Sequence, residues 1–265
     1  MQFQIDFICS KGKIFSKNLD RWVRFRFVAP PEYTKANKSF PVLLMNDGQD
    51  FIPMNLEAKL AKAYLIKDIE PFVYVGIECN EDRIHEYGTA SSADFKGRGG
   101  KAKGYSKFVM EEFVPFLKKE FKTSKKADDW VYCGMSLGGL SAFDIAYNNP
   151  ESFGKVGVFS GSFWWRKKAY VKKDLADRSR IILDVIKNKS YSPHLKFWFE
   201  CGTEDELADR NNNGIIDAIE DTMDVIKELK DKGFLHPEAI KYVEIKGGGH
   251  NLATWSAAFP EFIEW

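Results

Sequence analysis

Apolar and polar positions alternate with period two over residues 22–28, with Val23, Phe25 and Phe27 on one side and Arg24 and Arg26 on the other. This pattern predicts a half-exposed strand near a sheet edge, closed by Pro30-Pro31. The other apolar runs are short and unbroken: residues 42–45, 72–77, 131–133, 156–159, 195–200 and 242–245. Such runs suit strands covered on both faces. Helical spacing falls between them, at residues 57–67, 105–121, 140–147, 172–187, 217–229 and 255–265. In the second of these, Phe108, Phe113, Phe116 and Leu117 line one stripe, with Pro115 as an interruption that a helix can tolerate. Strands alternating with helices predict a mostly parallel, doubly wound α/β sheet with helices on both faces. No repeat, long linker or break in composition divides the chain, so residues 1–265 are expected to form one domain. Residues 78–103, polar and carrying Gly97, Gly99 and Gly100, exceed a simple connection and are expected to build one wall of a site.

The chemistry centres on Gly134-Met135-Ser136-Leu137-Gly138, between an apolar run and a helix. Gly-x-Ser-x-Gly between a strand and a helix is the nucleophile elbow of the α/β-hydrolase fold. The turn is sharp, and glycine supplies the room it needs.

A serine hydroxyl needs a base to take its proton, and the base needs an acid to fix its tautomer. The chain has four histidines. His194 precedes a strand, at the sheet end away from the elbow; His236 sits beside Pro237 in a turn; His85 lies in the long loop and could line the site. His250 alone follows a late strand at the serine's end of the sheet. The acid belongs between serine and histidine in chain order, at a strand's C-terminal end. Asp205 meets both conditions, with Glu204 and Asp209 as close competitors and Glu200 pointing into packing or across the mouth. Two backbone N–H groups should receive the developing oxyanion. One is that of Leu137. The other comes from the loop after residues 42–45, from Gln49 or, second, Asp50.

Composition narrows the partners. Lysine and arginine total 39 against 38 acidic residues, a net charge of +1. The basic runs, Lys125-Lys126 and Arg166-Lys167-Lys168, are too short for a nucleic-acid stripe. No apolar stretch approaches membrane-spanning length. The four cysteines (Cys9, Cys79, Cys133 and Cys201) lack metal-ligand spacing and are expected to be reduced. Residues 1–16 carry no signal-peptide pattern, which makes the cytoplasm the default expectation, with export if a leader preceded the chain.

These motifs run together with Asn46-Asp47-Gly48-Gln49-Asp50, Arg83-x-x-Glu86-Tyr87, Phe153-Gly154, Ser160-Gly161-Ser162-Phe163-Trp164-Trp165, Cys201-Gly202-Thr203-Glu204-Asp205 and Gly247-Gly248-Gly249-His250. In this the chain resembles the esterase family of α/β-hydrolases that includes esterase D, feruloyl and acetyl-xylan esterases, and enterochelin esterase. The resemblance implies Ser136, Asp205 and His250 as nucleophile, acid and base, in agreement with the choice made from position. It also implies that Arg83 to Tyr87 supports the active-site loops, with Arg83 and Glu86 as pocket residues.

One stretch departs from that family. Asp209-x-Asn211-x-Asn213-Gly214-Ile215-x-Asp217-x-x-Glu220 matches a calcium loop, with oxygen side chains at positions 1, 3, 5, 9 and 12, glycine at 6 and the Ile215 carbonyl at 7. A single structural ion in a dockerin-like loop is expected to stiffen the Asp205 loop; no organic cofactor is indicated. The expected activity is hydrolysis of carboxylic esters through an acyl-enzyme, on acetyl or feruloyl esters of carbohydrates or other small-molecule esters. Trp164, Trp165 and Trp255 are candidate pocket walls, where rings could stack on a sugar or an aromatic acyl group. The same triad could instead serve acyl transfer to a sugar. A carbohydrate-binding or scaffold protein on the same fold is the reading from a different class.

Overall fold

A computed structural model describes residues 5–66, 69–171 and 179–265. Its strands are β1 (Ile8–Ser16), β2 (Arg21–Ala29), β3 (Val42–Asn46), β4 (Val73–Ile77), β5 (Trp130–Met135), β6 (Lys155–Phe159), β7 (Lys196–Glu204) and β8 (Ile240–Gly249). They form one sheet in the order β1-β2-β4-β3-β5-β6-β7-β8. β2 runs antiparallel to both β1 and β4, and every pairing beyond β4 is parallel. The helices are α1 (Leu56–Ile66), α2 (Arg83–Glu86), α3 (Ala102–Lys107), α4 (Val114–Glu120), α5 (Leu137–Asn148), α6 (Ile181–Asn188), α7 (Asp217–Lys232) and α8 (Leu252–Glu264). This is the mostly parallel α/β-hydrolase architecture that the strand and helix pattern predicts.

Helices cover both faces, which is why the inner strands are apolar throughout. On β3, Val42 and Leu44 pack into a core shared with α3 to α7. Leu43 and Met45 face the other way, into a core closed by Leu56 and Leu60 of α1 and by Trp255, Phe259 and Phe262 of α8. On β2, Val23, Phe25 and Phe27 are buried while Arg24 is exposed, as the alternation requires.

The structure departs from the expected elements where local chemistry competes with periodicity. β1 is absent from the sequence pattern because only one edge of it pairs; its apolar contacts with the core are those of Ile8 and Ile14, and Phe15 is exposed while Ser16 is buried. The helix expected over residues 105–121 runs from Ala102 to Glu120 through one π-helical turn at Phe108–Phe113. Proline lacks an N–H and its ring crowds the carbonyl four residues back. For Pro115 that residue is Glu111, inside the widened turn, which accommodates the ring. Of the helix expected over 172–187, α6 accounts for the second half; residues 172–178 lie outside the described residues. The glycines at 247–249, beyond the apolar run at 242–245, extend β8. β7 likewise continues to Glu204, and the two strands approach so closely that a Cβ on Gly202 would stand 2.2 Å from the Gly248 carbonyl oxygen.

Loop 78–103 is tied down along its length. Gly88 N–H donates to Ser141 Oγ at 2.7 Å and Ala90 N–H to Asp144 Oδ2 at 2.8 Å, both on α5. Burial pushes the Asp144 carboxyl up to about 6. Asp94 accepts from the backbone of Lys96 and Arg98 and from the Arg98 guanidinium.

Gly134 is the tightest point of the strand-to-helix turn: a Cβ there would lie 2.5 Å from the Gly138 carbonyl oxygen, a backbone atom with no room to yield. Gly134→Ala is therefore expected to destabilise the fold by about 1–3 kcal/mol, as overpacking does. Thermal unfolding checks this, and an unchanged melting temperature would contradict the packing account.

Candidate active site

Ser136 occupies the single residue between β5 and α5, at φ 53° and ψ −122°. A non-glycine residue there is strained, and the surroundings hold it in place. Its N–H donates to the Phe159 carbonyl at 2.8 Å, and its own carbonyl accepts from Gly139 and Leu140 at the start of α5. The side chain is left standing clear at the C-terminal edge of the sheet. Its Oγ lies 2.8 Å from His250 Nε2 and 3.3 Å from the hydroxyl of Ser162, on the turn after β6.

His250 follows β8, and its Nδ1 is 4.0 Å from Asp205 Oδ1. That exceeds a hydrogen bond, a common looseness before substrate closes a site. Asp205 Oδ2 is held by the N–H of Gly202 at 3.2 Å. Burial lowers the imidazole pKa from its ordinary 6.5, the nearby Asp205 charge raises it, and Arg83 lowers it again; the net direction is down. Burial raises the Asp205 carboxyl in turn.

The competing residues are placed elsewhere. His194 Nε2 is 2.7 Å from the Pro150 carbonyl, His236 receives the Glu238 N–H, and His85 is exposed on α2. Glu204 is exposed, and Asp209 receives the N–H groups of Asn213 and Gly214. Glu200 is fully buried.

Asn46, the last residue of β3, sends its amide N–H to the Gly138 carbonyl at 2.7 Å and accepts both Tyr105 and Tyr132 hydroxyls. This fixes the loop after β3 against the first turn of α5. Asp47 follows in a left-handed conformation, φ 58°, and the Arg83 guanidinium holds its carboxylate through both oxygens at 2.7 and 2.8 Å. Among the described residues, neither the Gln49 nor the Leu137 backbone N–H has an acceptor, whereas Asp50 N–H is taken by the Asp47 carbonyl at 2.9 Å. Gln49 thus keeps the donor an oxyanion needs, and Asp50 does not. Burial, then the Asp47 charge, pushes the Asp50 carboxyl up to about 6.

Three expected pocket residues are corrected. Trp165 has no exposed surface and is part of the core, so it presents nothing to a substrate. Trp255 is buried against the histidine: its ring meets His250 edge-on, centroids 5.1 Å apart, and its indole N–H donates to Ser160 Oγ at 2.8 Å. Glu86 is buried in an ion pair with Arg21 of β2, at 2.5 and 2.7 Å, and braces the loop from outside the pocket. Trp164 stays half-buried, with the Arg98 guanidinium 4.8 Å from its ring centroid. The contacts of Ser162 with Ser136 and of Ser160 with Trp255 were not legible from spacing, since they depend on a turn with Ser160 at φ 44° that no residue type announces.

A family model described as "Putative esterase" matches residues 16–264. A Bacillus subtilis (strain 168) chain, YbbA, is 26% identical over 246 residues, 91% of each chain. The endo-1,4-beta-xylanase/feruloyl esterase of Xylanibacter ruminicola is 34% identical over 237 residues, spanning 85% of this chain and 26% of that one. The enterobactin esterase of Shigella flexneri, solved in the presence of 2,3-dihydroxy-N-benzoyl-glycine, superposes with a TM-score of 0.72 at 22% identity, covering 97% of this chain and 58% of that one.

The direction of the His250 shift is directly measurable. An NMR titration of its ring protons is expected to give a midpoint below 6.5, and a midpoint above 7 would contradict the burial account.

Proposed function

The chain belongs to the esterase family of α/β-hydrolases, and from that premise we propose that it hydrolyses carboxylic esters through an acyl-enzyme on Ser136. The observation that carries this reading is the 2.8 Å approach of His250 Nε2 to the hydroxyl of a serine held at a strained turn. Neutral His250 takes the Ser136 proton as Oγ attacks the ester carbonyl. Asp205 holds the ring's other nitrogen protonated and supports the imidazolium as it forms. The Leu137 and Gln49 N–H groups receive the oxyanion, and α5, starting at Leu137, directs its positive end there. His250 then protonates the leaving alcohol, and water, deprotonated by the same ring, clears the acyl group.

The substrate class we propose is a small-molecule ester with an acetyl or aromatic acyl group, such as a feruloyl ester of a carbohydrate. The 34% identity to a protein named as an endo-1,4-beta-xylanase/feruloyl esterase, over 26% of its length, supports it. Aryl esters and acetylated sugars should be hydrolysed, with kcat/KM falling at least about 10⁴-fold in Ser136→Ala. Acyl products on an added sugar in place of free acid would turn the reading to transfer. Ligand binding unaffected by that substitution, with no turnover in the wild type, would leave only a binding protein.

We further propose a structural calcium ion in loop 209–220, held by Asp209, Asn211, Asn213, the Ile215 carbonyl, Asp217 and Glu220. Glu220 Oε1 lies 2.8 and 2.6 Å from the Asn211 and Asn213 amide nitrogens. The two amide oxygens accept the Asn213 and Ile215 N–H groups at 3.1 and 2.8 Å, so turning them toward an ion would replace those bonds. Arg210, 3.6 Å from Asp217 and 3.8 Å from Glu220, already offers them positive charge, so the affinity is expected to be weak. Calorimetry on chelator-treated protein should register binding near millimolar calcium that Asp209→Ala abolishes. No heat in the wild type would exclude the ion.

A further inference from the structure

Behind the histidine lies a second buried carboxyl to which the proposed mechanism gives no task. Glu200 sits on β7 between Phe159 of β6 and Val243 of β8. It has no exposed surface, and neither side-chain oxygen has a hydrogen-bond partner. Leaving a buried polar group unsatisfied is costly, and leaving a charge so is far costlier. Strand alternation puts Glu200 on the same face as Trp198 and Gly202, the face that α8 covers with Trp255, Phe259 and Phe262.

Asp205 folds back over that face. Its Oδ2 is bound by Gly202 N–H, and its Oδ1 lies 3.0 Å from where a Gly202 Cβ would stand. Same-face neighbours on a strand are about 6.5 Å apart, a gap that a glutamate side chain laid along the strand largely closes. Asp205 Oδ1 is also the oxygen facing His250 Nδ1, and it too has no hydrogen-bond partner.

We propose that Glu200 is a positioning residue of the triad: a neutral carboxylic acid behind Asp205, whose proton lets two buried carboxyls share one negative charge and keeps that charge aimed at His250. No hydrogen bond joins the two carboxyls in the resting structure; the proposed one forms as the Glu200 side chain turns toward Asp205, with the proton moving only within the pair and no charge leaving the site.

The surroundings leave the pair few alternatives. On this face β6 presents Phe159, β8 presents Val243 and Ile245, and α8 presents Trp255 and Phe259, none of them ionisable near neutral pH. The titratable neighbours are Asp205, His250 beyond it, and Cys201, whose thiol points to the opposite face within 3.2 Å of Thr222 Oγ1. Burial raises the Cys201 thiol, which keeps it neutral. Two carboxyls in one dry compartment do not both ionise, and they titrate as a unit. Burial, then the Asp205 charge, pushes the Glu200 carboxyl up to about 8. Above that pH the second charge drives the carboxylates apart, and Asp205 loses its hold on the histidine.

This inference rests on the triad reading, and its test separates the two. Wild type and Glu200→Gln, which cannot ionise but keeps a donor, are compared for aryl-ester hydrolysis from pH 7 to 9.5. Wild-type kcat is expected to fall about tenfold or more across that range with little change in KM; in Glu200→Gln the fall shrinks to within about twofold. Glu200→Met, of similar volume without a donor, should lower kcat at every pH. Thermal unfolding gives a readout free of catalysis. The Glu200 carboxyl ionises at lower pH in the unfolded chain, near 4.5, than in the fold, so stability is lost as pH rises from about 4.5 to 8. Glu200→Gln should lack that part of the decline. An alkaline fall in activity retained by Glu200→Gln overturns the proposal whatever the melting curves show, and so does an unaltered stability slope. Absence of any Ser136-dependent hydrolysis at pH 7.5 overturns the triad reading instead, while the melting comparison still judges the carboxyl pair.

Discussion

A side chain can stand clear of the end of a parallel sheet only if the chain reverses within about one residue, and that constraint governs this molecule. The reversal brings the backbone of Gly134 against that of Gly138, with no room for a Cβ between them. It places Ser136 at positive φ, a cost that the ladder bond to Phe159 and the first turn of α5 must outweigh. The neighbouring parts then register on it. Asn46 grips the Gly138 carbonyl, so the loop carrying Gln49 is positioned by the same turn that positions the serine.

Buried charge is the second organising feature. Asp47 is neutralised by Arg83 through two hydrogen bonds, which fixes the loop after β3 without leaving an isolated carboxylate in the interior. Glu86 and Arg21 repeat the arrangement one turn of chain further on and tie loop 78–103 to β2. At the far side of the serine the pattern changes, because Asp205 and Glu200 have no arginine. In the proposed mechanism their nearest positive partner is the His250 imidazolium that forms during reaction, a charge present only when it is needed.

The serine, the histidine and the positions of the inner strands along the chain were legible because each rests on local chemistry. The glycines at 134 and 138 mark a turn, and apolar runs mark strands covered on both faces. Chain order and the strand end favoured Asp205 but kept Glu204 and Asp209 as close competitors; only the fold shows Glu204 exposed and Asp205 turned toward His250. What spacing could not give was depth. Trp164, Trp165 and Trp255 look alike as letters, yet one is half-buried, one is sealed in the core and one backs the histidine. Glu86 reads as a surface charge until Arg21, far away in sequence, is seen to bury it. β1 escaped notice because an edge strand with one paired side needs little apolar alternation.

The central claim is that the strained turn and His250 together make Ser136 a nucleophile. Intact mass after treatment with a fluorophosphonate tests it most directly, because the reagent records an activated serine without requiring the right ester. The account predicts a single covalent adduct on the wild-type chain and none on Ser136→Ala. No adduct on folded wild-type protein, or an adduct that persists in the variant, would contradict it.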